Sequence, residues 1–260
     1  MTGIIVELSA LLQLAEGILW AAALVFVRMG AVVALMPGLG DQAVPPRIKL
    51  ALVVAFTLVL APALAEDIAR SGPAPALAPL GGEAVAGLIL GVGMRLFLLA
   101  LQTGAVIVAQ ASTLSQLFAG AAPDPQPAIG NLFLVAGIAL ALAAGLHVRA
   151  AELALLSYDI LPAGGYPEAR AAADWNLALV SRTFSLAFSL AAPFVVASTI
   201  YNLALGAINR AMPQLMVSMI GAPALTLGAL ALLAVATPIL LTVWLQAFEA
   251  FLGDPFGPPP

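Results

Sequence analysis

Apolar residues along this chain gather into long blocks, at roughly 8–36, 48–65, 84–119, 131–162, 175–209 and 212–252, parted by charges and by clusters of proline and glycine. Blocks of this length predict six long helices, because about 20 apolar residues carry a helix across a hydrocarbon layer ~30 Å thick. The connections are marked by residues that do not continue a helix. They are Pro37-Gly38-Leu39-Gly40, the stretch from Glu66 to Gly82, the stretch from Gly120 to Gly130, and Pro162 to Pro167.

Several blocks are too long for a simple perpendicular span. From Ala211 to Gln246 there is no ionisable residue, yet Pro213, Pro223 and Pro238 each lack a backbone donor, which predicts a broken helix or a helical hairpin. Pro193, near the middle of the block from Asp174 to Ile208, predicts a second break, whose freed carbonyls need protein or water as partners. Alternating the connections sets Arg47, Lys49 and Arg210 on one side against Arg70 and Arg170 on the other, which favours an external N-terminus. The first block carries Glu7 and Glu16 and lacks a basic leader, so it reads as a retained helix and not as a secretory signal.

Composition sharpens the class. Hydrophobic residues make up 63% of the chain and charged residues 8%, whereas a soluble domain carries about 25% charged residues. Such a chain has no polar skin to face water, so lipid or other apolar subunits must supply its outer surface. The net charge is −4, with nine Lys and Arg scattered singly, so no basic patch tracks a phosphate backbone and nucleic acid is not an expected partner. With no cysteine, disulfides, thiolate metal sites and cysteine nucleophiles are excluded.

No catalytic constellation can be assembled. His147 is the single histidine and its nearest carboxylate, Glu152, is five residues away, so a metal site lacks ligands and a Ser-His-Asp set lacks its members. Gly91-Val92-Gly93 has no preceding strand and no third glycine at phosphate-loop spacing; small residues there let helices approach closely. No enzyme activity, cofactor or metal is expected. Arg28, Arg95 and Arg182 stand out, because an ionised side chain in hydrocarbon costs from ~2.5 to more than 10 kcal/mol. Each either snorkels to a headgroup or pairs with an acid or carbonyl, and for Arg28 that partner must come from another segment or chain, Glu16 being twelve residues away on the same helix. An ion-coupled secondary transporter of a small solute is the alternative function, with Glu16 and Glu152 the carboxylates it could use.

The order of local motifs carries a resemblance. Phe26-Val27-Arg28-Met29, Met36-Pro37-Gly38-Leu39-Gly40, Val44-Pro45-Pro46-Arg47-Ile48-Lys49 and Leu60-Ala61-Pro62 open it. Leu161-Pro162-Ala163-Gly164 follows, and then Asn202 to Leu215, with Asn209-Arg210-Ala211-Met212-Pro213 at its centre, and Ile220-Gly221-Ala222-Pro223. In this order they resemble the FliR family, the R-type subunit of the flagellar protein export gate, whose injectisome counterpart is the T component. Gly145-Leu146-His147 departs from the Asn-Gly-His often found there.

The resemblance implies an all-α membrane protein whose long, Pro-broken helices are arranged as helical hairpins within a helical pore assembly. A single integral-membrane export-gate domain would cover 1–252, with a disordered Pro-rich tail at 253–260. It implies a multi-pass protein of the bacterial inner membrane, in the flagellar basal body. The partners would be P-type and Q-type gate subunits, with this chain in single copy, together with other export-apparatus and basal-body proteins, membrane lipid and the unfolded proteins that pass through. By analogy the stretch from Ser112 to Pro127 is an internal plug. Gly120 and the prolines stop the helix there, and Leu114, Leu117 and Phe118 offer an apolar stopper before Asp124-Pro125-Gln126. Arg28, Arg47, Asn209, Arg210, Pro213 and Met216 are the residues expected at subunit contacts, flexible methionines among them packing against neighbours.

Overall fold

A computed structural model describes the backbone over residues 2–71, 76–112, 128–212 and 217–257, with no strand among the described residues. Among the described residues seven helices follow in order: α1 (Thr2–Leu35), α2 (Pro46–Ser71), α3 (Leu77–Ser112), α4 (Ala128–Ala143), α5 (Leu146–Ile160), α6 (Ala169–Ala211) and α7 (Val217–Gly253). Five are long and apolar enough to cross a membrane, six if α4 and α5 together count as one span. The chain is a helical membrane protein, as its blocks indicate.

Proline placement differs from expectation in an instructive way. α6 is continuous through Pro193 and α7 through Pro223 and Pro238, so no break falls at these three prolines. An interior proline removes one hydrogen bond, but ending an apolar helix would free several carbonyls that hydrocarbon cannot satisfy. The connection expected from Glu66 to Gly82 also shrinks, because Pro79 sits in the first turn of α3, where its missing N–H would have been unpaired anyway. The real interruption of the 131–162 block has no proline. It falls at Ala144-Gly145, where Gly145 takes φ 83, in the left-handed region glycine enters without steric cost. Pro213 lies outside the described residues.

The chain divides into two compact units. The first comprises Met1–Arg95, Gly145–Ala178 and Ala250–Pro260. Within it α1 packs against α2, and α3 approaches α1 through glycines four residues apart. A Cβ at Gly91 would lie 2.9 Å from that of Leu35, and one at Gly87 would collide with the Arg28 carbonyl and stand 2.8 Å from the Ala31 Cβ. Small residues at this spacing are what let two membrane helices touch at their backbones. Gly87→Val is therefore expected to push α1 off α3 and destabilise the chain by about 2–3 kcal/mol, read as a lower melting temperature in detergent; an unchanged melt would show that the helices separate freely.

In the last residues of the same unit Pro255 is buried and Phe256 partly buried. Trp175 donates its indole N–H to the Pro255 carbonyl at 2.8 Å, and its ring stands 5.7 Å from that of Phe256. Nothing in the apolar pattern marks this, since it depends on one indole donor finding a carbonyl beyond the end of a helix.

The second unit comprises Leu96–Ala144 and Leu179–Glu249. Its centre is Trp244, fully buried, whose indole N–H donates to the Phe97 carbonyl at 2.8 Å while Phe248 lies beside both rings at 5.4 Å. Two glycines again set the packing distance: a Cβ at Gly104 would meet the Ala187 carbonyl at 3.1 Å, and one at Gly137 would strike the Leu101 side chain.

Candidate functional site

The most concentrated chemistry in the first unit is a buried network around Arg28. Both Arg28 and Glu83 are 0% exposed. Arg28 donates Nε–H to Glu83 Oε2 at 2.6 Å and Nη2–H to Oε1 at 3.2 Å, the two-pronged geometry that a planar guanidinium offers a carboxylate. Its remaining reach goes to α5: Nη1–H to Ser157 Oγ at 2.9 Å and Nη2–H to the Leu161 carbonyl at 2.9 Å. Leu161 caps α5, so its carbonyl is one that the helix itself leaves unpaired, and a cation there also meets the negative end of the helix dipole.

Glu83 is supported as fully. The Tyr158 hydroxyl donates to Oε2 at 3.1 Å and the Gly164 backbone N–H to Oε1 at 2.7 Å. The Tyr158 ring also carries the Arg28 guanidinium 3.6 Å from its centre, a cation–π contact. Gly164 adopts φ 71, which only glycine takes readily, so the Pro162-Ala163-Gly164 turn is what aims that N–H. The backbone comes close here: a Cβ on Gly82 would lie 2.6 Å from the Gly165 carbonyl. Three helices and one turn thus converge on one ion pair whose donors and acceptors face each other, an arrangement that holds elements together and leaves no open position for a ligand.

A second, shallower set fixes the connection between α1 and α2. Asp41 accepts from Arg95 of α3, and Lys49 of α2 donates to the Gly40 carbonyl at 2.7 Å. Gly38 has φ 76, and a Cβ on Gly40 would lie 2.6 Å from the Ala34 carbonyl, so the Pro-Gly-Leu-Gly turn requires both glycines. Pro46 opens α2 at the position where proline fits best.

The residues singled out from sequence fall into three groups. Arg28, expected at a contact with another subunit, has its guanidinium enclosed by its own chain. Arg47 on the first turn of α2 and Asn209 and Arg210 on the last turn of α6 are exposed. The plug residues Leu114, Leu117, Phe118, Gly120, Asp124, Pro125 and Gln126, with Pro213 and Met216, lie outside the described residues. Arg95 finds Asp41 within its own chain, and Arg149 finds Glu152 at 3.1 Å, while His147 beside them is exposed on the first turn of α5. No group of three His, Cys, Asp or Glu side chains that could hold a metal ion occurs among the described residues.

Sequence reasoning missed Glu83, Ser157, Tyr158 and Gly164. Glu83 stands one residue before an apolar block and one after the connection that ends at Gly82, so neither claims it. The signal that marks it is the run Gly82-Glu83 leading into Gly87 and Gly91, a carboxylate on the close-packed face of a helix.

Comparison with known proteins bears on what these units belong to. A family model described as bacterial export proteins, family 1, matches residues 19–251. The chain is similar to the flagellar biosynthetic protein FliR of Caulobacter vibrioides, 34% identical over 240 residues that cover 90% of this chain and 94% of that protein. It is also similar to the proteins of the same name in Escherichia coli, 30% identical over 223 residues (82% of this chain, 83% of that one), and in Pectobacterium carotovorum, 30% identical over 214 residues (80% of each).

Proposed function

The chain belongs to the bacterial export proteins, family 1, a family of flagellar export components, and from that membership we propose that it is a pore-forming, structural subunit of the flagellar type III export gate in the bacterial inner membrane. In this reading it works as one export-gate unit over 1–252, in single copy, joined to P-type and Q-type subunits and to other export-apparatus and basal-body proteins around a passage for unfolded proteins. It is a conduit, with no catalytic part of its own.

The observation that carries the reading is how little of the apolar surface the chain covers by itself. In α3 56% of the apolar stretch is buried, but in α6 33% and in α7 17%. Helix α6 has 43 residues, about 65 Å at 1.5 Å per residue, twice the ~30 Å of hydrocarbon. Lipid cannot cover such a helix end to end, and sister subunits can. Arg47, Asn209 and Arg210, exposed at helix ends, are available for contacts of that kind, and Pro213 and Met216 follow them in sequence. The stretch from Ser112 to Pro127 serves as the seal.

Deleting residues 119–127 tests this. The assembled gate is expected to form in normal yield and to conduct small ions at least tenfold more than the intact gate, measured in planar bilayers or by ion leak in cells. Unchanged conductance would remove the sealing role. Ion-coupled uptake of a small solute by the isolated chain would favour a transporter instead.

A further inference from the structure

We propose that the last turns of α6, from Asn202 to Ala211, are a docking face for one apolar helix of a different subunit, one that carries a carboxylate opposite Arg210. The buried residues of α6 end at Ser198. Beyond it Leu203 is 76% and Met212 55% exposed, beside the exposed Asn209 and Arg210. Water is a poor cover for the first pair and hydrocarbon for the second, since a charge within lipid costs several kcal/mol. A protein partner suits both.

The face is shallow and open. It is lined by Asn202, Leu203, Gly206, Ala207, Arg210 and Ala211, residues three to four apart that share one helix face. A Cβ on Gly206 would meet nothing within 4 Å, so the absent side chain leaves a hole open to the outside, not a gap filled from within. No described carboxylate lies within ion-pair distance of Arg210, so a carboxylate is the group the incoming helix must supply.

The inference rests on the reading that the chain works inside an assembly with P-type and Q-type subunits, and it names the surface and the chemistry of that contact. Gly206→Leu adds bulk only on the outside of the chain. The isolated variant is therefore expected to keep the wild-type helical signal and melting temperature while its yield in the co-expressed, purified complex drops at least tenfold. Arg210→Glu is expected to do the same, and Arg210→Lys to retain at least half of the complex. Both disruptive variants assembling like the wild type would overturn the docking face. A wild-type chain forming no complex with those partners would overturn the assembly reading and this inference with it. Because the chain has no cysteine, Leu203→Cys can be cross-linked singly within the complex. A product with a P-type or Q-type subunit supports the proposal; a product with a differently tagged second copy, or labelling by a lipid-soluble maleimide instead, overturns it.

Discussion

Glu83→Ala is expected to destabilise the chain by about 3–5 kcal/mol, the cost of stranding a buried guanidinium without its counter-ion, seen as a large fall in melting temperature or in the yield of folded protein from membranes. The size follows from geometry. Arg28 loses two of its four hydrogen bonds and keeps only the neutral acceptors Ser157 and Leu161. Replacing both partners, as in Arg28→Met with Glu83→Leu, is expected to recover more than half of that loss, since apolar groups of similar volume need no partners. Tyr158→Phe, which removes one donor from Glu83 and keeps the ring under Arg28, is expected to cost about 1 kcal/mol. If the double variant proves no better than the single one, Ser157, Tyr158 and the Gly164 turn are themselves bound to the charge, and the pair is inseparable from its surroundings.

Trp244→Ala should be the most damaging single change in the second unit, at about 3 kcal/mol, low in the roughly 3–5 kcal/mol range for deleting a large buried aromatic. The lower end is appropriate because an unfolded chain in a membrane already keeps its apolar groups out of water. What is lost is the hydrogen bond to the Phe97 carbonyl, ring contact with Phe248 and the space the indole filled. Trp244→Phe separates the terms. It keeps an aromatic ring and loses the donor to the Phe97 carbonyl, with an expected cost near 1–2 kcal/mol. Equal melts for Trp244→Ala and Trp244→Phe would mean that the hydrogen bond, and not packing, holds the cluster.

Much of the helical plan was legible because hydropathy is additive over a long window: the blocks around α1, α2, α3, α6 and α7 each contain enough Leu, Ala and Val to reveal a helix whatever its neighbours. Boundaries and breaks were not, because they depend on single groups. Pro193, Pro223 and Pro238 read as breaks, yet the medium forbids the free carbonyls that a break would create. Gly145 reads as one small residue among many, yet its positive φ interrupts an apolar run. At the site, the sequence identified Arg28 as a residue needing a partner from elsewhere, and that requirement holds. Its identity was hidden because Glu83 is 55 residues away and Leu161 is 133 away, and no local periodicity connects positions so distant. Arg95 with Asp41 is the same lesson at the protein surface.

Those separations also set a timetable for synthesis. At about 5–20 residues per second, Glu83 emerges from the ribosome roughly 3–11 s after Arg28, and Leu161 roughly 7–27 s after it. For that interval the first helix holds an arginine with no counter-ion in a stretch otherwise suited to hydrocarbon. The α1–α2 hairpin therefore cannot settle on its own: it waits at the insertion machinery, or at the lipid surface, until α3 delivers a carboxylate and α5 the remaining acceptors. Completion of this protein's first helix is thus an event of its fifth, and a chain truncated before Tyr158 should be handled by the cell as an unfinished membrane protein even though its first four helices are all present.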